Sequence, residues 1–282
     1  LDAAQMKETT GSGYYRSGLY TPGTVMLQPA GFMRGMADGL RRDGVAVFEN
    51  TPALSFQRDG DGWVIQTPKA RLRTARIILT VNGHLESFGF AQNRLMHVFL
   101  FASMTPELGA DALRQLGGQT RWGITPADPM GTTVRRISGI GGERIIIRNR
   151  FTFDPSMEVG DKRIKDVARD HDRAFAARFP KLAHVGMDFR WGGRLCLSRN
   201  NVQVIGELEE GLYSACCQNG LGTAKGTLAG GLAADLALGR PSDALSRALA
   251  ADRPSRLPLA PLASIGANLL LRWQERQAGG EL

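Results

Sequence analysis

The stretch that decides the fold is GLYSACCQNGLGTAKG, residues 211–226. Its first seven residues are mostly apolar and predict a buried strand, and the glycines that follow predict a tight turn into a helix. Glycine lets backbone N–H groups approach a ligand closely, and the positive end of the helix dipole faces whatever lies at the turn. The turn therefore indicates a ligand site, although glycines at such turns also serve close packing alone.

The position of this strand, turn and helix limits its role. It lies near the end of the chain, with no further strand after it and no acidic residue ending a second strand about 20 residues later. It therefore cannot be the first unit of a dinucleotide-binding fold. We expect it to be the last unit, which closes over a cofactor whose phosphates are held elsewhere.

Hydrophobic periodicity along the rest of the chain predicts a mixed α/β fold. Apolar residues at helical spacing predict helices from Pro29 to Asp43 and from Asp161 to Phe179, and the tail at 257–273 is also amphipathic. Extended apolar runs predict strands at 45–48, 53–58, 63–67, 72–81, 96–104, 132–137, 144–151 and 189–196. The sequence DGDG, residues 59–62, predicts the hairpin between the second and third of these strands.

Composition excludes several classes of protein. The 282 residues are 43% hydrophobic and 22% charged, which argues against disorder and against a disulfide scaffold. The net charge of +8 would suit an anionic partner, but the basic residues are scattered, which argues against a nucleic-acid surface. The four histidines have no metal-ligand spacing, so we predict no metal site. No apolar run is long enough to cross a membrane.

Several short motifs together resemble a known family. They are Gln28-Pro29-Ala30, Thr51-Pro52-Ala53, the run from Ile78 to His84, Arg190-Trp191-Gly192-Gly193-Arg194, Val204-Ile205-Gly206, Gly211-Leu212-Tyr213 and Gly220-Leu221-Gly222. In this order they are similar to FAD-dependent amine and amino-acid oxidoreductases of the D-amino-acid oxidase superfamily. The resemblance is nearest to the γ-glutamylputrescine-oxidase-like and glycine/D-amino-acid-oxidase-like enzymes, and it extends over nearly the whole chain.

The resemblance implies a fold with two interleaved parts. A substrate-binding mixed β-sheet with flanking helices would comprise 1–28 and 85–200. An incomplete Rossmann-like FAD-binding domain would comprise 29–84 and 201–240, followed by a C-terminal tail, 241–282. The family's N-terminal Gly-x-Gly-x-x-Gly segment has no counterpart here, and the chain starts with Leu1 instead of Met. We therefore expect the C-terminal portion of a longer flavoenzyme, which by itself holds FAD weakly or not at all.

The resemblance also assigns candidate site residues. The FAD contacts it implies are Ala53, Thr80, Asn82, Gly83, Gly193, Gly206, Gly220, Leu221, Gly222 and Thr223. For the substrate cavity the first candidate is Arg194, because arginine binds carboxylates through two parallel hydrogen bonds, with a surface ion pair as the alternative. Trp191 and Arg148 are further cavity candidates, and no catalytic residue is assigned. Cys216, Cys217 and His171 are expected to pack in the core, and Lys225 to be a solvated helix residue.

The activity implied is oxidation of the C–N bond of an amine, a D-amino acid or a glycine-type substrate, by hydride transfer to the flavin. Orientation, an unprotonated amine and a dry pocket suffice for this step, since the cofactor carries the chemistry. The alternatives are an RNA-directed oxidase module and a non-catalytic remnant of the same fold. We expect a cytoplasmic protein whose amphipathic tail packs against its body, with peripheral membrane contact as the other reading.

Overall fold

In a computed structural model, residues 1–258 and 262–282 are described and form eleven strands and seven α-helices. The strands are β1 (Ser55–Asp59), β2 (Gly62–Gln66), β3 (Arg71–Thr74), β4 (Ile77–Leu79), β5 (Met96–Met104), β6 (Trp122–Ile124), β7 (Thr133–Ile137), β8 (Arg144–Phe153), β9 (Phe189–Leu197), β10 (Val204–Glu209) and β11 (Leu212–Cys216). The helices are α1 (Ala3–Thr10), α2 (Pro29–Arg42), α3 (Ala110–Leu116), α4 (Asp161–Arg178), α5 (Gly222–Ala237), α6 (Asp243–Leu249) and α7 (Leu262–Ala278).

These elements belong to two units built from alternating chain segments. The first unit comprises residues 1–22, 96–197 and 257–282, and the second comprises 23–95 and 198–256. Residues 241–256 of the tail therefore belong to the second unit and the remainder to the first. Which unit binds substrate and which binds FAD stays a prediction.

An antiparallel sheet of five strands, in the order β6-β7-β8-β5-β9, dominates the first unit. β5 pairs with both β8 and β9, and seven of its nine residues are buried. A strand buried on both faces needs a continuous apolar run, which is the pattern that predicted it. The helix α4 covers one face, where Ala174 and Phe175 pack with Val134, Ile145 and Ile147.

A buried histidine lies where α4 meets the sheet. His171 is 1% exposed, and its Nδ1 lies 2.7 Å from Ser103 Oγ of β5. Its Nε2 lies 3.5 Å from the Asn149 carbonyl oxygen. Burial lowers the pKa of His171 to about 4, so the ring is neutral at pH 7.

At the far end of β8, one side lies beside no strand among the described residues. β7 pairs with β8 only as far as Arg148, and the residues beyond it meet α7 instead. Glu275 Oε1 accepts a hydrogen bond from Phe151 N at 3.1 Å. Asn268 bonds both backbone groups of Phe153, accepting from N at 3.0 Å and donating to O at 2.9 Å. The helix thus satisfies strand-edge groups that would otherwise be unpaired.

A bulge in β8 supplies the charge that balances Glu275. Arg150 has φ 62° and is skipped in the pairing with β5, in which Asn149 and Phe151 oppose consecutive residues. Its guanidinium bonds Asp170 of α4 at 2.7 Å and Glu275 of α7 at 2.9 Å. Since Glu275 is 1% exposed, this ion pair joins strand and helix in a largely water-free environment.

The second unit contains two small sheets. β1, β2 and β3 form an antiparallel meander. In the other sheet, β11 lies between β10 and β4, antiparallel to β10 and parallel to β4. Helix α5 follows β11 and packs on it through small residues, with Ala229 and Ala233 against Ala215. This close packing is the structural role that the small residues of the segment predict.

The strand predicted at 45–48 is wrong. These residues form no strand, and Val45 and Phe48 are exposed, because such a short extended run needs a neighbour to pair with. The single strand predicted at 72–81 is also wrong. A local turn, in which Thr74 Oγ1 donates to the Arg76 carbonyl at 2.9 Å, divides it into β3 and β4, which lie in different sheets.

The remaining predicted elements are confirmed within two residues at most ends, including β5, β8, β9, β11, α2 and α4. The elements not predicted are short or weakly periodic, namely α1, α3, α6, β6 and β10. Helix α7 confirms the amphipathic tail, although 259–261 of the predicted range lie outside the described residues.

We predict that Glu275→Gln lowers the free energy of unfolding by about 3 kcal/mol, because it leaves a buried arginine short of one counter-charge. Urea denaturation at neutral pH measures this. The matched control is Glu210→Gln, which removes an exposed ion pair with Arg58 and should cost under about 1 kcal/mol. Equal losses in the two variants would contradict the role assigned to Glu275.

We also predict that His171 makes stability fall in mild acid. The unfolded chain binds a proton at His171 near pH 6.5, whereas the folded chain resists it down to about pH 4. Stability therefore falls as the pH decreases through this window, and the gap corresponds to about 3 kcal/mol. Denaturation across the window should show a shallower pH dependence for His171→Gln. The exposed His184→Gln should keep the wild-type slope, and an unchanged slope in His171→Gln would refute the assignment.

Candidate functional site

Two loops of the second unit meet at one edge of its parallel strand pair. β4 ends at Leu79 and β11 at Cys216, and because these strands run parallel, the segments that follow them leave from the same edge. Cys217 N donates a hydrogen bond of 3.1 Å to Asn82 Oδ1, which joins the two segments directly. The carboxyl edge of parallel strands is where α/β folds bind ligands. Seven predicted flavin contacts lie on these segments: Thr80, Asn82, Gly83, Gly220, Leu221, Gly222 and Thr223.

The backbone at this edge is held in an uncommon conformation. Asn82, Cys217, Asn219 and Gly220 have φ values of 50°, 62°, 52° and 79°. Left-handed geometry is easy for glycine and tolerated by asparagine, but it is strained for cysteine. Asn219 braces the turn, since its Nδ2 donates to the Cys217 carbonyl at 3.1 Å and its Oδ1 accepts from Ser198 N at 2.8 Å. Strain of this kind collects at functional sites.

The N-terminus of α5 opens at the same edge without a cap. Leu221 occupies the N-cap position and makes no side-chain capping bond, and the first turn contains no acidic residue. Gly222 and Thr223 are exposed, and a Cβ at Gly222 would meet no atom within 4 Å. The first N–H groups of a helix lack intrahelical partners and carry its positive partial charge. These residues fit the electron-rich edge of a flavin ring, where negative charge accumulates on reduction.

The adjacent cysteines are part of the buried strand end. Cys216 and Cys217 are both fully buried, and Cys216 Sγ donates to the Leu79 carbonyl at 3.3 Å. Burial raises the pKa of the Cys216 thiol, which disfavours the reactive thiolate. Both observations favour core packing over covalent flavin attachment, as the sequence predicts.

The other predicted flavin contacts lie elsewhere. Ala53 is exposed and precedes β1 in the meander. Gly206 lies within β10 opposite Ser214, and its φ of 145° is a value that L side chains rarely adopt. Gly193 lies in β9 and belongs to the first unit. Ala53, Gly206 and Gly193 therefore lie apart from the seven predicted contacts at the carboxyl edge, and the order of the motifs in the sequence gives no sign of this difference.

In the first unit, two of the three predicted cavity residues share a sheet face. Pairing aligns Thr133, Arg148, Ala102 and Trp191 in one row across β7, β8, β5 and β9. Directly paired residues point to the same side of a sheet, and this row faces away from α4. Arg148 and Trp191 are two strands apart, roughly 10 Å, with the small side chain of Ala102 between them.

Arg194 lies on the opposite face. It pairs with Phe99, whose side chain packs with Val167 of α4, so the side chain of Arg194 points toward the helix. There its guanidinium donates to the Met157 carbonyl at 3.1 Å. The structure therefore brings Arg148 and Trp191 onto one face and separates Arg194 from both.

The face with Arg148 and Trp191 is positively charged. Arg148 donates to Thr133 Oγ1 at 2.9 Å, and Arg135, which the sequence reading overlooked, projects from β7 on the same face, two residues further along. Burial lowers the pKa of both arginines, and the charge of Arg135 lowers that of Arg148 further. Neither forms an ion pair with any part of the chain that the structure describes. Two partly desolvated guanidinium groups without an acidic partner favour binding of an anion.

Within 1–258 and 262–282, no three His, Cys, Asp or Glu side chains are grouped closely enough to hold a metal ion.

Comparison with known proteins places these features in a family. Residues 1–236 match the family model DAO, described as FAD dependent oxidoreductase. The chain is 22% identical over 244 residues to the probable oxidoreductase OrdL of Rhizobium meliloti (strain 1021), and 24% identical over 242 residues to gamma-glutamylputrescine oxidoreductase of Escherichia coli (strain K12). The matches cover 86% and 85% of this chain and 54% of each relative, so the chain spans about half the length of the curated relatives it matches.

Among solved structures, the chain is similar to glycine oxidase from Geobacillus kaustophilus, with a TM-score of 0.70 at 17% identity. The likeness covers 86% of this chain and 63% of that one. At such identity it shows the fold alone, and it confirms the predicted mixed α/β class. Since the family model matches most of its length, this chain belongs to the DAO family of FAD-dependent oxidoreductases.

Proposed function

We propose that this chain takes part in the FAD-dependent oxidation of a C–N bond in an amine or amino acid that carries an acidic group. The observation that carries the proposal is the uncapped N-terminus of α5, which opens at the carboxyl edge of β4 and β11. In this proposal the second unit contributes to the FAD site and the first unit contributes the substrate side.

When bound, FAD supplies the acceptor for the hydride that leaves the substrate's α-carbon. The N–H groups of Gly222 and Thr223 would face the electron-rich edge of the flavin and would stabilise negative charge there, as donors aimed at a developing charge do. Asn82 joins the two loops and Asn219 holds the second loop against Ser198, so that these donors are oriented in advance. Contacts from Thr80, Gly83 and Leu221 to the same cofactor remain part of the proposal.

For the substrate we propose Arg148, rather than Arg194, as the partner of the acidic group. Arg148 shares its sheet face with a second cation, Arg135, and with Trp191. The indole of Trp191 and the methyl group of Ala102 would supply the apolar surface of the site. Two similar proteins are named for glycine and for gamma-glutamylputrescine, and each of these compounds carries both an amine and a carboxylate. A site with two cations suits substrates of that type.

A charge placed at the end of α5 tests the flavin side. Gly222→Asp should lower FAD affinity about tenfold, because it sets a carboxylate against the electron-rich edge of the flavin ring, while it stabilises the isolated helix slightly. The matched control is Gly231→Asp on the same helix, an exposed position where a Cβ also meets no atom within 4 Å. The visible flavin spectrum of the protein and its titration with FAD measure this.

Wild-type protein that shows no flavin bands with excess FAD would overturn the proposed function and favour the non-catalytic remnant. Equal affinities in Gly222→Asp and Gly231→Asp would remove α5 from the flavin site. For the isolated chain we expect weak FAD binding only.

Substitution of the two candidate arginines tests the substrate side. With an amino acid found by an amine screen, Arg148→Met should lower kcat/KM about 30-fold, since a charged hydrogen bond contributes roughly 2 kcal/mol. With the amine that lacks the carboxylate, the same variant should change kcat/KM little. Arg194→Met should leave both values near those of the wild type. A carboxylate-specific loss in Arg194→Met instead would reverse the assignment.

A further inference from the structure

Helix α7 presents its large apolar side chains outward. Leu262, Ile265, Leu269, Leu270 and Trp273 each expose 53% to 69% of their surface. At 100° per residue these five positions lie within one arc of the helix, with Leu262, Leu269 and Trp273 near its centre. An amphipathic helix usually buries such an arc, so this exposed face requires an explanation.

The orientation of α7 is fixed by its polar side. Asn268 and Glu275 face the body of the first unit and bond the backbone of β8, and Glu275 also meets Arg150. Rotating the apolar arc inward would withdraw these partners, leave strand-edge groups unsatisfied and remove one of the two carboxylates that pair with Arg150. The exposed arc is therefore built into the docking of the helix.

The charges on the exposed arc have one sign. Arg276 lies within it, and Arg272 lies at its margin, where it pairs with Glu275 at 3.1 Å. The arc contains no acidic residue, since the single carboxylate of α7 is the buried Glu275. A second copy of this chain docking face to face would add a second Arg276 with no carboxylate on either arc to balance it. An anionic surface complements the arc.

We propose that the outer face of α7 lies in the interface of a membrane containing anionic lipids. Leucine, isoleucine and tryptophan side chains would enter the boundary between headgroups and acyl chains, and Arg276 would meet lipid phosphates. Tryptophan is enriched at this depth in membrane proteins. The helix would lie on the membrane without crossing it, since no helix among the described residues is long and apolar enough to span one. The proposal does not depend on FAD binding.

Co-sedimentation with vesicles tests this proposal. The chain should bind vesicles of phosphatidylcholine mixed with phosphatidylglycerol at least tenfold more strongly than vesicles of phosphatidylcholine alone, and salt should weaken the binding. The double variant Leu269→Gln, Trp273→Gln should lose tenfold or more. Both residues are exposed and α7 docks through its other side, so folding should be retained, and circular dichroism checks this.

The control is the double variant Leu19→Gln, Ile140→Gln, which removes two exposed apolar residues of the same unit away from α7 and should bind like the wild type. Equal binding by the two double variants would overturn the proposal, as would the absence of wild-type binding to either vesicle. Light scattering after gel filtration measures the oligomeric state, and so tests whether a second copy of the chain covers this face instead. A dimer that dissociates in Leu269→Gln, Trp273→Gln would assign the face to a second copy of the chain and also overturn the proposal.

Discussion

The unpaired edge of β8 is the constraint on which the first unit depends. β8 extends beyond β7, and the backbone groups of Phe151 and Phe153 need partners that no strand provides. Polar side chains of α7 provide them, and the bulge at Arg150 supplies the cation that lets Glu275 be buried there. The same bulge fixes which residues of β8 face which side of the sheet. The bulge at Arg150 thus positions α7 through Glu275, and it also determines which way the side chains of β8 after residue 150 point.

In the second unit the comparable constraint is the parallel pairing of β4 with β11. Parallel strands deliver their following loops to one edge, and here both loops adopt left-handed backbone geometry, braced by asparagine side chains. The features that the geometry singles out at this edge are backbone N–H groups and a helix dipole. That composition is consistent with a family whose cofactor performs the bond-breaking chemistry.

Much of this could be predicted from the sequence where the pattern is local. The apolar run of β5, the helical spacing of α4 and the passage from β11 through glycines into α5 each carry their own signal. The division of 72–81 into two strands could not be predicted from the apolar pattern, because it depends on the turn at Thr74 and on the different sheets that β3 and β4 join. Arg148 and Arg194 could not be assigned to opposite faces without the register of β5 against β8 and β9. Nor does an amphipathic pattern say which side of α7 faces the body, since that depends on the distant edge of β8.

The separation of β8 from α7 along the chain has a consequence for biosynthesis. Phe151 and Glu275 are 124 residues apart, so the ribosome completes β8 long before the helix that covers it emerges. During that interval the nascent chain presents a bare strand edge next to Arg150, which still lacks Glu275. A bare edge of this kind is a template for pairing with other chains. The first unit can therefore finish folding only after α7 has left the ribosome. Its yield in the cell should depend on chaperones that shield the edge until α7 is available to cover it.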